Sequence, residues 1–228
     1  LTLTRRELAS GASAAFGSAA LPTLARAQTP QPSVRFAGAA VDTGWIAFAD
    51  SSDSIVLTVL VNGHPVQAVL DNGASQTALD FRLVNALGLG HGGGVEVDGI
   101  SGGAGAALLQ PIVVQVGPLT IALPTPIVLD VQRSGIAQSM LLGREIFEHL
   151  IVDLDLPNQR LAFRLPGAFM PPSEMIAAPL EPQASGARLT AIGLENQPRV
   201  LAMFDLGSEE ALAISAAYAH ENNLGAGR

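Results

Sequence analysis

Val66-Gln67-Ala68-Val69-Leu70-Asp71-Asn72-Gly73-Ala74-Ser75 is an apolar strand that runs straight into an Asp-x-Gly turn. A carboxylate at the end of such a strand is partly desolvated, and Gly73 lets the backbone turn sharply and pass close behind it. Taken alone, Asp-Asn-Gly is also an ordinary hairpin turn. Its surroundings decide between the two readings. Upstream, residues 55–61 are a β-rich run, and Asn62-Gly63 closes it as a hairpin into the strand that carries Asp71.

The same order recurs around Asp205. Residues 188–192 form a strand pattern, Glu195-Asn196-Gln197-Pro198 a polar turn, and residues 200–204 a second strand leading into Asp205-Leu206-Gly207-Ser208. The second aspartate comes 134 residues after the first, about one small domain further on. The repeat predicts two similar lobes, each presenting one carboxylate on an Asp-x-Gly turn.

With Val61-Asn62-Gly63 before Pro65-Val66, residues 69–75 and the later Leu141-Leu142-Gly143-Arg144, the chain resembles the retropepsin-like aspartic peptidases, in a bacterial, exported, two-lobe form. The resemblance implies a mainly β fold: a closed, barrel-like lobe with one or two short helices over 53–167. Residues 168–228 are then an inter-lobe segment and an incomplete second lobe. It makes Asp71 and Asp205 the catalytic pair, sharing one proton and activating a water, with no cofactor and no metal. Asn72, Gly73, Ala74 and Ser75, with Leu206, Gly207 and Ser208, are the active-site turns. Leu141, Leu142, Gly143 and Arg144 support them, Gly143 letting a short helix lie close to the turn. Gly99, Ile100, Ser101 and Gly102 fall where the family has a mobile flap over the substrate, a peptide bound as an extended strand. The chain departs from the family at Asn72 and Leu206, where a Thr or Ser hydroxyl usually ties the two turns together. A weaker link and reduced activity are the expectation. The alternatives are a degenerate peptide-binding protein, an exported β-rich interaction domain, and a homodimer of first lobes whose dyad is Asp71 and its symmetry mate.

Thr4-Arg5-Arg6-Glu7-Leu8, an Ala/Gly/Ser-rich run and Ala25-Arg26-Ala27 read as a twin-arginine export signal over 1–27, which predicts a periplasmic or extracellular protein. Residues 28–52, with Pro30 and Pro32, read as a linker and leading strand. The 12 basic residues are all arginine against 20 acidic ones, a net charge of −8 that argues against nucleic acid or anionic membrane as partners. Without cysteine, stability must come from burial, and 48% hydrophobic residues can supply it.

Leu79, Leu83, Val84 and Leu87 predict one helical face, closed by Gly88 and Gly90. Residues 112–116, 119–123 and 126–131 predict three strands, and 151–156 with 161–163 a strand pair. Gly99-Ile100-Ser101-Gly102-Gly103 also satisfies the G-x-S-x-G pattern of a serine nucleophile, with Asp130 or Asp153 and His149 or His220 as partners. That elbow needs a strand before it and a helix after it, whereas Ala/Gly-rich sequence follows here. His64, His91, His149 and His220 lack metal-ligand spacing. Arg144, Glu145 and Glu148 are expected on a solvated helix face, and Asp153 and Asp155 on the outer face of a strand.

Overall fold

The computed structural model describes residues 30–224 apart from 52–53, 100–101, 184 and 209–210. The chain begins β1 (Ser33–Phe36), β2 (Ile46–Ala47), β3 (Ala49–Ser51), β4 (Ser54–Val61), β5 (His64–Leu70), β6 (Ala78–Asp80) and α1 (Phe81–Ala86). It continues β7 (His91–Gly99), β8 (Gly102–Leu109), β9 (Ile112–Val116), β10 (Leu119–Leu123), β11 (Ile127–Leu129) and β12 (Met140–Leu142). The last elements are β13 (Ile151–Asp155), β14 (Arg160–Arg164), β15 (Glu181–Pro182), β16 (Arg188–Ile192), β17 (Val200–Met203) and α2 (Ala216–Glu221). The fold is mainly β, as the sequence predicts.

Alternation builds the hairpin that delivers Asp71. In β4, Leu57, Val59 and Val61 face inward while Thr58 and Leu60 are exposed, and β5 pairs with it antiparallel from Val61 opposite His64 to Val56 opposite Val69. The turn is Asn62 and Gly63, at φ 47° and 86°. Two consecutive positive φ values give a turn whose twist matches the strands, which is why Asn-Gly is favoured there. The hairpin leads into an eleven-stranded sheet whose main path is β1-β10-β9-β4-β5-β12-β6-β11-β8-β7, with β3 added to β4.

The crossing at β12 positions the site. This strand runs parallel to β5, with Leu142 beside Leu70, and antiparallel to β6, with Met140 beside Leu79. It is therefore wedged between the strand entering the Asp71 turn and the strand leaving it. Leu70, Leu79, Met140 and Leu142 are fully buried around the junction. At about 1.5 to 3 kcal/mol per buried aliphatic side chain, this packing makes the base of the turn one of the firmest parts of the lobe.

Two local expectations need correction. Leu79 belongs to β6 rather than to the helix, because Asp80 caps α1 by accepting from the Arg82 amide at 2.9 Å and starts the helix one residue later. The segment after Gly143 is a single 3-10 turn, Arg144–Ile146, with Ile146 fully buried beneath the sheet. Within the 28–52 segment, read as a linker with a leading strand, residues 33–51 supply β1 against β10, β2 against β14 and β3 against β4. Asp153 and Asp155 lie under arginines, pairing with Arg164 at 2.9 Å and Arg160 at 2.7 Å. The Arg160 guanidinium in turn stacks on Trp45.

Beyond β14 the character changes. β15, β16 and β17 form a separate antiparallel sheet ending at Asp205, the hairpin the repeat predicts. Among the described residues every buried apolar side chain lies between Phe36 and Phe163. The second sheet leaves Leu201, Met203 and Phe204 exposed.

Candidate active site

The Asp71 turn is pinned to β12 and the 3-10 turn. Asp71 donates its amide to the Leu142 carbonyl at 3.0 Å, and Arg144 donates its amide to the Ala74 carbonyl at 2.8 Å. The Asp71 carboxylate accepts at Oδ1 from the amides of Gly73 at 2.8 Å and Ala74 at 3.0 Å. Asp205 repeats the motif, accepting at Oδ1 from Gly207 at 2.8 Å.

The two turns meet face to face. A Cβ added to Gly73 would lie 2.5 Å from Asp205 Oδ2, and one added to Gly207 would lie 2.5 Å from the Asp71 carboxyl. Neither glycine has a positive φ, so space rather than backbone conformation requires glycine at both places. Each glycine backs the opposite aspartate. The chain thus brings together Asp71, Asn72, Gly73, Ala74, Asp205, Leu206 and Gly207 as the repeat predicts.

Asn72 corrects the expectation of a weakened link. Its side chain, 9% exposed, donates from Nδ2 to the Phe204 carbonyl at 2.8 Å and accepts at Oδ1 from the Leu206 amide at 2.6 Å. One amide therefore supplies both a donor and an acceptor across the turns. Leu206 acts differently, packing its side chain against the core of the first lobe.

Burial is the main influence on Asp71 and pushes its carboxyl above the ordinary range, with the nearby Asp205 charge adding to it. The Ala74 and Gly73 amides pull the other way and do not prevail.

Gly143 is placed as the resemblance implies, since a Cβ there would run into the backbone of Gln76 and Thr77. The solvated face expected beside it holds only for Glu148, which is exposed. Arg144 donates from its guanidinium to the Ser185 carbonyl at 3.1 Å. Glu145 turns inward and accepts from the Thr77 amide at 2.6 Å. Thr77 is not singled out in the sequence, and Glu145 is read there only as part of a solvated face. An acidic residue two positions after the apolar-apolar-Gly element, read as charged and therefore exposed, hid the signal.

β7 and β8 form an antiparallel hairpin at the flap position, with Gly99 opposite Gly102. Its tip, Ile100 and Ser101, lies outside the described residues, as does the 1–27 segment read as an export signal. A strand on each side of Ser101, with no helix following, is not the setting of a nucleophile elbow. Beside Asp205 a cleft of about 1060 Å³ opens, bounded by Ile55, Leu156, Phe204, Leu212, Ile214 and Tyr218.

Residues 57–149 match the family model of the gag-polyprotein putative aspartyl protease. The matched span covers most of the lobe that carries Asp71, whose mainly β fold is that of a retropepsin-like lobe. Asp205 falls outside the matched span, and its place opposite Asp71 rests on the geometry above. No curated protein matches the chain. Among solved structures, a retropepsin-like aspartic protease from Rickettsia conorii is 19% identical, with 60% of this chain and 97% of that chain covered and a TM-score of 0.38. EIAV protease complexed with the inhibitor HBY-793 is 22% identical over 42% of this chain and 86% of that chain, at a TM-score of 0.34. The retroviral protease-like domain of Ddi1 from Leishmania major is 18% identical over 52% and 97%, at 0.32.

Proposed function

We propose that the chain is an aspartic endopeptidase that hydrolyses peptide bonds with a water activated between Asp71 and Asp205. The carrying observation is the reciprocal packing of the two turns, each glycine lying against the other turn's carboxyl. Two carboxylates brought together hold one proton as a pair, because ionising both is costly. The upward push on Asp71 fits a carboxyl that carries that proton. The ionised member takes a proton from the water, the protonated member gives its own to the scissile carbonyl oxygen, and the oxygen of the water bonds to the carbonyl carbon. Collapse of this tetrahedral diol returns a proton to the departing amine. The apolar cleft beside Asp205 suits an apolar substrate side chain, and the hairpin of β7 and β8 suits an extended peptide. With the export signal read in residues 1–27, the substrates are peptides or proteins outside the cytoplasm.

The test is hydrolysis of a fluorogenic peptide library by the chain and by Asp71→Asn and Asp205→Asn, together with binding of a hydroxyl-bearing transition-state mimic. Both variants should lose turnover, and the mimic should bind in a pH-dependent manner. Peptide binding without turnover in the parent would favour the degenerate reading, to which the absent hydroxyls at Asn72 and Leu206 point. Turnover that survives Asp205→Asn and falls on dilution would favour a homodimer of first lobes.

A further inference from the structure

Thr77 closes the Asp71 turn and is completely buried. Its amide donates to Glu145 Oε1 at 2.6 Å, and its hydroxyl oxygen accepts from the Gly143 amide at 3.1 Å. Glu145, Thr77 and Gly143 therefore form one closed junction between the limb leaving Asp71 and the element that supports it. There is no slack in it, because Gly143 lies where a Cβ would meet the Gln76 and Thr77 backbone and stand 2.5 Å from Glu145 Oε2.

The other oxygen of that carboxyl is the odd feature. Oε2 is enclosed and has no hydrogen-bond partner among the described residues. An enclosed carboxylate with one oxygen unpaired is costly, and the neutral acid is cheaper there. Among the described residues no cation pairs with the Glu145 carboxyl. From its own turn Glu145 has the acidic Glu148, His149 with an enclosed Nε2, and Arg144, whose guanidinium is turned to the Ser185 carbonyl. The 71–77 limb brings only Asp71, and residues 30–32 and 123–126, which close the small cavity beside it, bring no charged side chain.

We propose that Glu145 is a positioning residue for Asp71: as the neutral acid it holds the 74–77 limb against Gly143 through Thr77, and loss of its proton loosens that limb. The catalytic consequence rests on the peptidase reading above; the structural part does not. Burial, with repulsion from Glu148 added, pushes the Glu145 carboxyl above the ordinary range despite the Thr77 amide. An acid raised in the fold binds its proton more tightly there than in the unfolded chain. Stability is then fully present below the ordinary carboxyl value and is lost as pH rises from that value to the raised one.

Glu145→Gln keeps the Oε1 acceptor for Thr77 and cannot ionise, so it separates the two roles. In the parent, amide exchange corrected for intrinsic rates should show Thr77 and Arg144 losing protection, by at most about tenfold per pH unit, as pH rises from the ordinary carboxyl value to the Glu145 midpoint, and losing no more above it, as release of one proton requires. That midpoint is read from the side-chain carboxyl carbon by NMR. In Glu145→Gln the protection should not change across the same range. The alkaline limb of kcat/KM should steepen toward a two-proton loss in the parent and fall with one proton in the variant. Equal pH dependence of Thr77 protection in parent and variant would overturn the proposal. Absence of turnover in both, with the exchange difference intact, would instead sink the peptidase reading alone. Should Glu145→Gln fail to fold, Glu148→Gln serves: it should move the Thr77 midpoint to lower pH, and an unmoved midpoint overturns the proposal.

Discussion

Asp71 and Asp205 stand on turns of the same form but on different foundations. The first turn is anchored by β12, by the 3-10 turn after Gly143 and by the buried Thr77, all within the core that ends at Phe163. The second leaves a three-stranded sheet whose apolar residues Leu201, Met203 and Phe204 face outward. What steadies Asp205 comes largely from the first lobe: the Asn72 amide, the backbone of Gly73 and the core surface that receives Leu206. A symmetric pair of carboxylates can thus be held asymmetrically, with one lobe organising both.

The largest expected effect does not distinguish the turns. Asp71→Asn and Asp205→Asn should each lower kcat/KM at least a hundred- to ten-thousand-fold, roughly 3 to 5 kcal/mol, because either removes half of one coupled acid and base. A large loss from one and near-normal turnover from the other would break the comparison at its root. Next come the glycines. Gly73→Ala pushes on Asp205, and Gly207→Ala pushes on Asp71. Overpacking costs about 1 to 3 kcal/mol, and a displacement near 1 Å of a reacting group costs about a hundredfold in rate. Because the Asp71 limb is anchored and the Asp205 turn is not, Gly73→Ala should spare stability more than Gly207→Ala while both impair turnover. Urea midpoints beside kcat/KM for the two variants would show it.

Much of this was legible in the sequence, and the reasons are local. The hairpin of β4 and β5 follows from alternation plus Asn62-Gly63, the strands at 112–116 and 119–123 bury every second residue, and Ile127–Leu129 follows from a short apolar, β-branched run. The repeat at Asp205 was readable because strand, turn and Asp-x-Gly recur in order. Glu145 was not readable, since its inward turn depends on Thr77, 68 positions earlier, offering an amide at the right place. Leu79 was misplaced in the helix because an apolar residue at helical spacing can equally end a strand when an Asp cap follows. The role of Asn72 was hidden for a related reason: its partners, Phe204 and Leu206, lie 132 and 134 positions away. Spacing along the chain says nothing of a donor and an acceptor that meet only across two lobes.

Asn72 therefore yields the third prediction. Asn72→Ala removes one donor and one acceptor across the turns, and at about 0.5 to 1.5 kcal/mol for each bond it should destabilise by about 1 to 3 kcal/mol. The Leu206 amide is then left without that partner. A change in urea midpoint with unchanged slope is the readout. No loss of stability would mean that the cross-turn bonds contribute nothing and that contact with the first core alone holds Asp205.

The smallest effect is the sharpest test of asymmetry, because the same residue can be placed on both turns. Thr at position 72 offers a single short hydroxyl where the amide now spans Phe204 and Leu206, so Asn72→Thr should lose about one hydrogen bond, roughly 0.5 to 1.5 kcal/mol. Thr at position 206 offers a hydroxyl where there is none, but gives up apolar contact with the first core. For a partly buried Leu that contact is worth about 1 kcal/mol, close to what one new hydrogen bond returns. Leu206→Thr should therefore be nearly neutral, and Leu206→Ala, which loses the contact and gains no bond, should fall below it by about 1 kcal/mol. Stability and kcat/KM of the three variants order the turns. If Asn72→Thr instead gains stability while Leu206→Thr loses it, the link is of the hydroxyl kind after all, and the amide of Asn72 is not what joins the lobes.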